Sequence, residues 1–390
     1  MSANITLGVT GGIAAYKMLS VASKLTKLNY NVYTVMTESA TKFVSPLAFH
    51  SITHLDVETE LFSSWNSNEV KHIELADKSE LFLVAPATAN FLAKAAAGIA
   101  DDLLTTVILA RQAPILVAPS MNVHMYENKV VQKNLKTLEE LDFKIITPGE
   151  GYLACGYTGK GRLPEPEILV EHVEKELTKK DLRGKKILIS AGPTREEIDP
   201  VRFLSNYSSG KMGYALAKAA SYRGAEVILV SGPTQLKKPL GVKRIEVEKA
   251  AEMKEKILKE FKNADITIMA AAVADYTPKN HSKEKIKKEA ADLSLELKRT
   301  TDIIKELGKI KREDQLLVGF AAESENLIKN ARKKLSSKNA DYIIANDISD
   351  KNIAFGSDKN KITILAKNSS QKMSLETKEK LAHKIFDYLI

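Results

Sequence analysis

ITLGVTGGIAAYK, residues 5–17, begins with six apolar, β-branched or small residues, breaks at Gly11-Gly12 and continues in helix-forming residues. ITLGVT reads as a short strand, the glycine pair as a tight turn, and residues 13–29 as a helix. NVYTVMT at 31–37 supplies a second strand. A β-turn-α-β opening of this kind builds a parallel sheet wound by helices, and places its glycine turn where a helix N-terminus can meet a phosphate. The turn lacks the third glycine of the dinucleotide fingerprint, and the second strand ends in Thr37 rather than an acidic residue. Both departures count against NAD. A mononucleotide phosphate met by Gly11, Gly12 and Thr37 fits better; an ordinary tight βα turn is the alternative.

The same plan continues outward from this opening. LFLVA at 81–85 is a strand expected to stop at Pro86, which cannot donate to a ladder. Thr88 and Asn90 then head an alanine-rich helix, and PILVAPSMN at 114–122 delivers Ser120-Met121-Asn122 to the same edge. Small polar residues at the carboxyl ends of parallel strands line the ligand crevice of this architecture. Asp101 and Asp102 read as helix-opening acids rather than a metal pair. KIIT at 144–147 is the last strand of this half. His72 precedes an apolar-alternating segment, HIELAD, with nothing local to set it apart from a surface histidine. Between the halves lies GYLACGYTGKGR, 151–162, with the sole cysteine, Cys155, four glycines and a closing Arg162. It reads either as a lid over an active site or as a linker.

A helix at 165–180 and the strand-turn KKILISAGPT at 185–194 restart the scheme, so we expect two α/β domains, 1–180 and 181–390. In the second, SSGKMG at 208–213 has the composition of a phosphate loop without its GxxxxGK[ST] spacing, and opens a helix able to bind an anion. DITIMAAAVADY at 265–276 predicts a buried strand ending at Asp275. Residues 277–304, TPKNHSKEKIKKEAADLSLELKRTTDII, form either a basic flap over a polyphosphate or a solvated loop. LLVGFAAES predicts a strand with its tip at Phe320, and a helix over 325–338 places Lys334 and Lys338 on one face. DYIIAND, KITILAK and a final helix over 375–388 complete the domain.

The chain has 390 residues, 44% hydrophobic and 27% charged, the profile of an ordinary globular protein. No apolar run reaches the roughly 18–20 residues of a membrane span. The N-terminal stretch lacks the pattern of a signal peptide, so a cytoplasmic protein with no membrane partner is expected. One cysteine excludes an intrachain disulfide and a multi-cysteine metal site. The formal charge is +9, yet its lysine clusters are separated by acidic residues and aromatics are 6% of the chain. That pattern disfavours nucleic acid and fits a small phosphorylated ligand.

Taken in order, GVTGGIAAYK, APATAN, PSMN, ACGYTGKGR, AGPTREEIDPVRFLSNYSSGKMG, AAAVADY, EKIKK and VGFAAE resemble, over essentially the whole chain, the bifunctional phosphopantothenoylcysteine decarboxylase/phosphopantothenate–cysteine ligases of coenzyme A biosynthesis. Ser120 and Tyr207 depart from that family's usual PAMN and SNHSSGKMG. The resemblance implies two doubly wound α/β domains: an N-terminal flavodoxin-like FMN domain and a C-terminal Rossmann-like ligase domain. It implies FMN contacts at Gly11, Gly12, Ile13, Thr37, Ser39, Thr88, Asn90 and Ser120. His72 would be the catalytic base, Asn122 the holder of the substrate carboxylate, and Cys155 the proton donor on a flap. Asn206 and Lys285 would serve the ligase. CTP, accompanied by Mg2+ with ligands unassigned, would meet Asp275, Lys285, Asp302, Ile303, Ile304, Lys305, Phe320, Lys334 and Lys338. The resemblance also implies a homo-oligomer, a dodecamer built from trimeric flavin domains and paired ligase domains. An FMN-binding regulatory protein of the same fold without catalysis is the rival reading, and retention of His72, Asn122 and Cys155 argues against it.

Overall fold

In the computed structural model, strands and helices alternate as the opening stretch requires. The structure describes residues 2–62, 70–152, 156–287, 293–323, 327–347 and 356–390. Two compact units divide the chain, Met1–Thr178 and Lys179–Ile390. No helix among the described residues is long and apolar enough to cross a membrane.

The first unit runs β1 (Asn4–Val9), a 3-10 turn (Ile13–Tyr16), α1 (Lys17–Lys27), β2 (Asn31–Met36), α2 (Glu38–Thr41), α3 (Pro46–Thr53), β3 (Val57–Glu58) and α4 (Lys71–Lys78). It continues with β4 (Leu81–Ala87), α5 (Ala89–Ala97), α6 (Leu103–Ala110), β5 (Ile115–Pro119), α7 (Val123–Glu127), α8 (Lys129–Glu140) and β6 (Phe143–Ile145). The hairpin β7 (Gly149–Tyr152) and β8 (Thr158–Arg162) and helix α9 (Pro166–Leu177) close it. The parallel sheet has the order β3-β2-β1-β4-β5-β6. Without the two-residue edge strand β3, this is the flavodoxin-like order, with its switch point between β1 and β4. All seven residues of β4 are buried. Leu81, Leu83 and Ala85 join one core with Leu7, Met18 and Phe49; Phe82, Val84 and Ala87 join the other with Leu104, Val107 and Leu135. A strand covered on both faces reads as a continuous apolar run for that reason.

Two details of this unit differ from the sequence reading. β4 does not stop before Pro86 but runs to Ala87; its pairing with β5 shifts register between Val84 and Ala87, which leaves the missing Pro86 N–H outside the ladder. The HIELAD segment is helical, within α4. Asp102 caps α6, accepting from Thr105 N at 2.8 Å, and Asp101 pairs with Lys94, so the acidic pair serves the helix as expected.

The second unit runs β9 (Lys186–Ala191), β10 (Arg195–Glu197), β11 (Phe203–Ser205), α10 (Lys211–Tyr222), β12 (Glu226–Ser231), β13 (Val242–Glu246), α11 (Ala250–Phe261) and β14 (Ile266–Met269). Then come β15 (Tyr276–Pro278), β16 (Leu297–Arg299), α12 (Ile303–Ile310), β17 (Leu316–Glu323), α13 (Leu327–Ser337) and β18 (Tyr342–Asp347). β19 (Lys359–Asn360), β20 (Ile362–Leu365), β21 (Ser370–Lys372), β22 (Glu376–Thr377) and α14 (Lys378–Leu389) end the chain. The sheet order is β13-β12-β9-β14-β17-β18-β20-β21, parallel as far as β18, with the last two strands antiparallel. This is the Rossmann winding, with its switch point between β9 and β14.

Here too the structure corrects particular expectations. The strand through 265–276 ends at Met269, not at Asp275. Beyond it, Ala271 N donates to Ser190 Oγ, Ala272 N to Gly192 O and Ala274 N to Thr194 Oγ1. Those donors are spent on β9 and its turn, so they cannot extend a ladder with β17. β17 itself passes Phe320 and runs to Glu323. The ends of the lysine-rich stretch pair as the hairpin β15–β16, while 288–292 lie outside the described residues, as do 324–326 at the expected start of α13.

Candidate functional site

In the first unit the expected cofactor residues gather at the carboxyl ends of β1, β2, β4 and β5. Gly11 is required there: a Cβ on it would lie 2.3 Å from Ser39 Cβ and 2.9 Å from the Ser39 carbonyl carbon, so the glycine turn packs directly on the turn after β2. Thr37 caps α2, accepting from Ala40 N at 3.3 Å, and Thr88 caps α5, accepting from Phe91 N at 3.4 Å. Thr10 joins the two sides of the switch point. Its hydroxyl donates to Pro86 O at 2.6 Å and accepts from Thr88 N at 3.1 Å. Sequence reading passed over Thr10, whose only local signal is its place at the end of a strand. Ser120 N donates to Ala87 O at 3.1 Å, and Ile13 and Asn90 are exposed at the same edge. A glycine turn with no room for a side chain, followed by helix-opening N–H groups and flanked by hydroxyls, fits the phosphate of a flavin mononucleotide.

The hairpin β7–β8 is seated beside this edge. Met121 N donates to Gly161 O at 3.0 Å, and the Tyr157 ring meets the His124 ring edge-on at 5.0 Å. Gly161 has φ +135°, and a Cβ on it would lie 2.3 Å from Met121 O. The base of this stretch is docked on the segment that carries Asn122. Asn122 Oδ1 accepts from His124 N at 2.8 Å, capping α7. Arg162 pairs with Glu165, which also holds Lys17. Cys155 lies outside the described residues. His72 sits half-buried in the first turn of α4 and, among the described residues, makes no hydrogen bond or ion pair with the edge cluster.

The second unit holds a cavity of 740 Å³ at the carboxyl side of its switch point. Its wall is drawn from stretches far apart in the chain, and it includes Asp275, Asp302, Ile303, Ile304, Lys305, Phe320, Lys334 and Lys338 together with the turn Ser208–Lys211. Asp302 caps α12, accepting from Lys305 N at 3.2 Å, and pairs with Lys338 Nζ at 3.2 Å. Asn206 Nδ2 donates to the carbonyls of Ala272 and Val273 at 3.1 and 3.2 Å, which holds it against the lining segment. Lys285 is not part of the wall. Its neighbour Ile286 donates N–H to Asp199 Oδ2 at 3.2 Å and accepts from Arg202 Nη1. Burial alone would raise the Asp199 carboxyl, but the N–H groups of Val201, Ile286 and Arg202 outweigh it and hold that carboxyl below the usual range.

Among the wall residues not singled out from sequence are Asn346, whose Oδ1 is buried without a partner among the described residues, Asn360 and Lys378. A signal for Lys378 existed. A lysine in the first turn of a helix opposes the helix dipole, and such a placement asks for a reason. Among the described residues no group of three or more His, Cys, Asp or Glu is placed to hold a metal ion.

The comparisons with known proteins follow the same division. Residues 1–178 match the Flavoprotein family, and residues 182–390 match the DNA/pantothenate metabolism flavoprotein C-terminal domain family. The coenzyme A biosynthesis bifunctional protein CoaBC of Bacillus subtilis is 51% identical, covering 95% of this chain and 92% of its own. The protein of the same description from Vibrio cholerae serotype O1 is 43% identical, covering 97% of this chain and 95% of its own. A cysteine/cysteine sulfinic acid decarboxylase from an unknown prokaryote is 45% identical over 87% of this chain and 96% of its own. With a flavoprotein half and a pantothenate-metabolism half joined in the same order along nearly its whole length, the chain belongs to the family of bifunctional coenzyme A biosynthesis proteins.

Proposed function

We propose that the second half joins cysteine to 4′-phosphopantothenate using CTP, and that the first half, with FMN, converts the resulting 4′-phosphopantothenoylcysteine to 4′-phosphopantetheine and CO2. The observation that carries the reading is the 740 Å³ cavity, on which Asp275, Asp302–Lys305, Phe320, Lys334 and Lys338 converge from distant parts of the chain. Shape and charge both support a nucleotide there: lysines for phosphate, a helix N-terminus beside them, and the Phe320 face for a base.

In the first half, Gly11, Gly12, Ile13, Thr37, Ser39, Thr88, Asn90 and Ser120 would hold FMN, the glycine turn taking its phosphate. FMN, when bound, supplies a reversible two-electron oxidation at the substrate thiol, which lets the neighbouring carboxylate leave as CO2. His72, whose intrinsic pKa suits the task, would take the thiol proton. Asn122 is oriented by its bond to His124 N, and its amide would hold the substrate carboxylate without adding a charge that anchors it. The hairpin docked beside Asn122 would bring Cys155 over the site to return a proton to the product.

In the second half, a carboxylate oxygen of the acid would attack the α-phosphorus of CTP. A carbon–O–P link forms, the bond to the bridging oxygen breaks, and pyrophosphate leaves. The cysteine amine then displaces CMP at the acyl carbon to form the amide. Asn206 would orient the acyl-cytidylate, and Mg2+ would be held through phosphate oxygens. Lys285 would neutralise triphosphate charge. Because Ile286 is tied to Asp199, that role calls for release of the tie or for the cavity of a second copy. Exposed Val201, Phe203, Tyr276 and Leu297 on the two hairpins, with Tyr207 just beyond β11, support pairing of ligase halves. Trimeric flavoprotein halves, hence a dodecamer, and a cytoplasmic location complete the reading.

Incubation with 4′-phosphopantothenate, cysteine, CTP and Mg2+, followed by mass spectrometry, tests both halves. The expected products are 4′-phosphopantetheine, CO2, CMP and pyrophosphate. Accumulation of 4′-phosphopantothenoylcysteine alone would overturn the first-half assignment, and unconsumed CTP the second. A control with free cysteine only should yield no CO2; its decarboxylation would instead align the first half with the cysteine decarboxylase relative.

A further inference from the structure

One part of the cavity wall in the second unit serves none of the roles assigned above. It is formed by Lys211, Gly356, Asn360 and Lys378. Lys211 opens α10, and its Nζ donates to Gly356 O at 2.7 Å and to Asp358 Oδ1 at 2.6 Å. Lys378 opens α14, and its Nζ donates to the carbonyl of Ser357. The chain thus seats two ammonium groups on consecutive carbonyls. The strand pair β19–β22 holds this arrangement, because it fixes Thr377 against Lys359 and Lys378 N against Asp358 O.

The charges there do not balance. Asp358 is 83% exposed, so its attraction for Lys211 is largely screened by water. Lys378 is 8% exposed and, among the described residues, has no carboxylate within ion-pair distance. Burial pushes its ammonium below the usual range; the Lys211 charge adds to this and Asp358 opposes it. A buried cation without a counter-ion is costly, and the cost falls when an anion enters. The Ser208–Lys211 turn and the N-terminus of α10 line the same cavity and favour negative charge as well.

We propose that Lys211 and Lys378 form the polyphosphate subsite of this cavity, binding the β- and γ-phosphates of a nucleoside triphosphate and holding pyrophosphate as it departs. The proposal rests on the nucleotide reading given above. As the acid's carboxylate oxygen bonds to the α-phosphorus, the bond from that phosphorus to the bridging oxygen breaks and its electron pair stays on the oxygen. The charge that appears there faces two cations already in place. Asp358 holds Lys211 while the subsite is empty and yields it to the polyphosphate, so it weakens binding by competition.

Calorimetric titration of the full chain in Mg2+ buffer with CTP, CMP and inorganic pyrophosphate tests this, alongside the KM for 4′-phosphopantothenate. Lys378→Gln is expected to weaken CTP and pyrophosphate by about 10- to 100-fold, the worth of a charge-assisted hydrogen bond, with CMP and the acid changed by less than about 2-fold. Lys378→Arg should recover most of the loss. Asp358→Asn, an exposed change that does not endanger folding, should tighten pyrophosphate by about 2- to 5-fold. Equal loss of CMP and CTP in Lys378→Gln would overturn the subsite, as would a rise confined to the acid's KM, which would assign the lysines to the acid's own phosphate. Weaker pyrophosphate binding in Asp358→Asn would also overturn it. Wild-type protein that binds neither CTP nor pyrophosphate would overturn the nucleotide reading itself.

Discussion

Replacing Gly161 by alanine should disable the first half of the protein and spare the second. Gly161 has φ +135°, where an L side chain is strained, and a Cβ there would lie 2.3 Å from Met121 O and 3.4 Å from the Met121 carbonyl carbon. Neither neighbour is a flexible side chain, so the hairpin β7–β8 must lift from the Met121–Asn122 segment. The backbone conformation costs about 1–3 kcal/mol, and the lost bond from Met121 N to Gly161 O about another 1 kcal/mol. Together these place about 2–4 kcal/mol against the docked hairpin, or about 30- to 1000-fold in its population at about 1.4 kcal/mol per decade. If decarboxylation draws on Asn122 and the hairpin together, as proposed, it should fall at least about 10-fold even if docking holds some reserve. CO2 release from 4′-phosphopantothenoylcysteine measures the first activity, pyrophosphate release the second, and hydrogen exchange over 149–162 the docking itself. A folded, flavin-loaded variant that decarboxylates at the wild-type rate would refute the idea that the docked hairpin completes the site.

Two further outcomes follow from the second unit. In Gly308→Ala a Cβ would lie 2.0 Å from Lys338 O, so the end of α13 must move and carry Lys338 away from Asp302 and the cavity; the KM for CTP should rise about 10-fold with decarboxylation unchanged, and an unchanged KM would separate Lys338 from the nucleotide. His383 has its pKa lowered by burial and then by the Arg223 charge, against Asp387 and Glu379. A lowered folded pKa means that the unfolded chain binds the proton more readily, so the stabilisation is fully present above about pH 6.5 and is lost as pH falls through the lowered value. Calorimetric unfolding of the second unit should shift to lower temperature from about pH 7.5 to about pH 5.5, and His383→Gln should flatten that slope; the same slope in both proteins would exclude His383.

Much of the architecture was legible because its signals are local. ITLGVT, the Gly11-Gly12 turn and the helix after it are a strand, a break and a helix by period and composition, and the structure places them within a residue or two. Asp102 was readable as a cap because capping acts within three residues. Pro86 misled because the rule that proline ends a strand assumes an unbroken ladder, whereas β4 and β5 shift register around it. The run 270–275 looked like strand because it is as apolar as one. Its backbone donors turn instead to Ser190, Gly192 and Thr194, about 80 residues earlier in the chain, and no local pattern announces that.

The sequence by itself therefore determined two doubly wound α/β halves, their glycine turns, their helix caps and the set of polar strand tips. Each of these depends on neighbours a few positions away, through backbone sterics, period and local hydrogen bonds. Tertiary structure alone decided which tips share a cavity, that the glycine hairpin is docked beside Asn122, that Lys285 lies off the wall, and that Lys211 and Lys378 rest on consecutive carbonyls. Those are matters of sheet order and of contacts between residues far apart in the chain. Burial, and a charge with no carboxylate partner among the described residues, give Lys378 its meaning and exist only once the chain has closed around it.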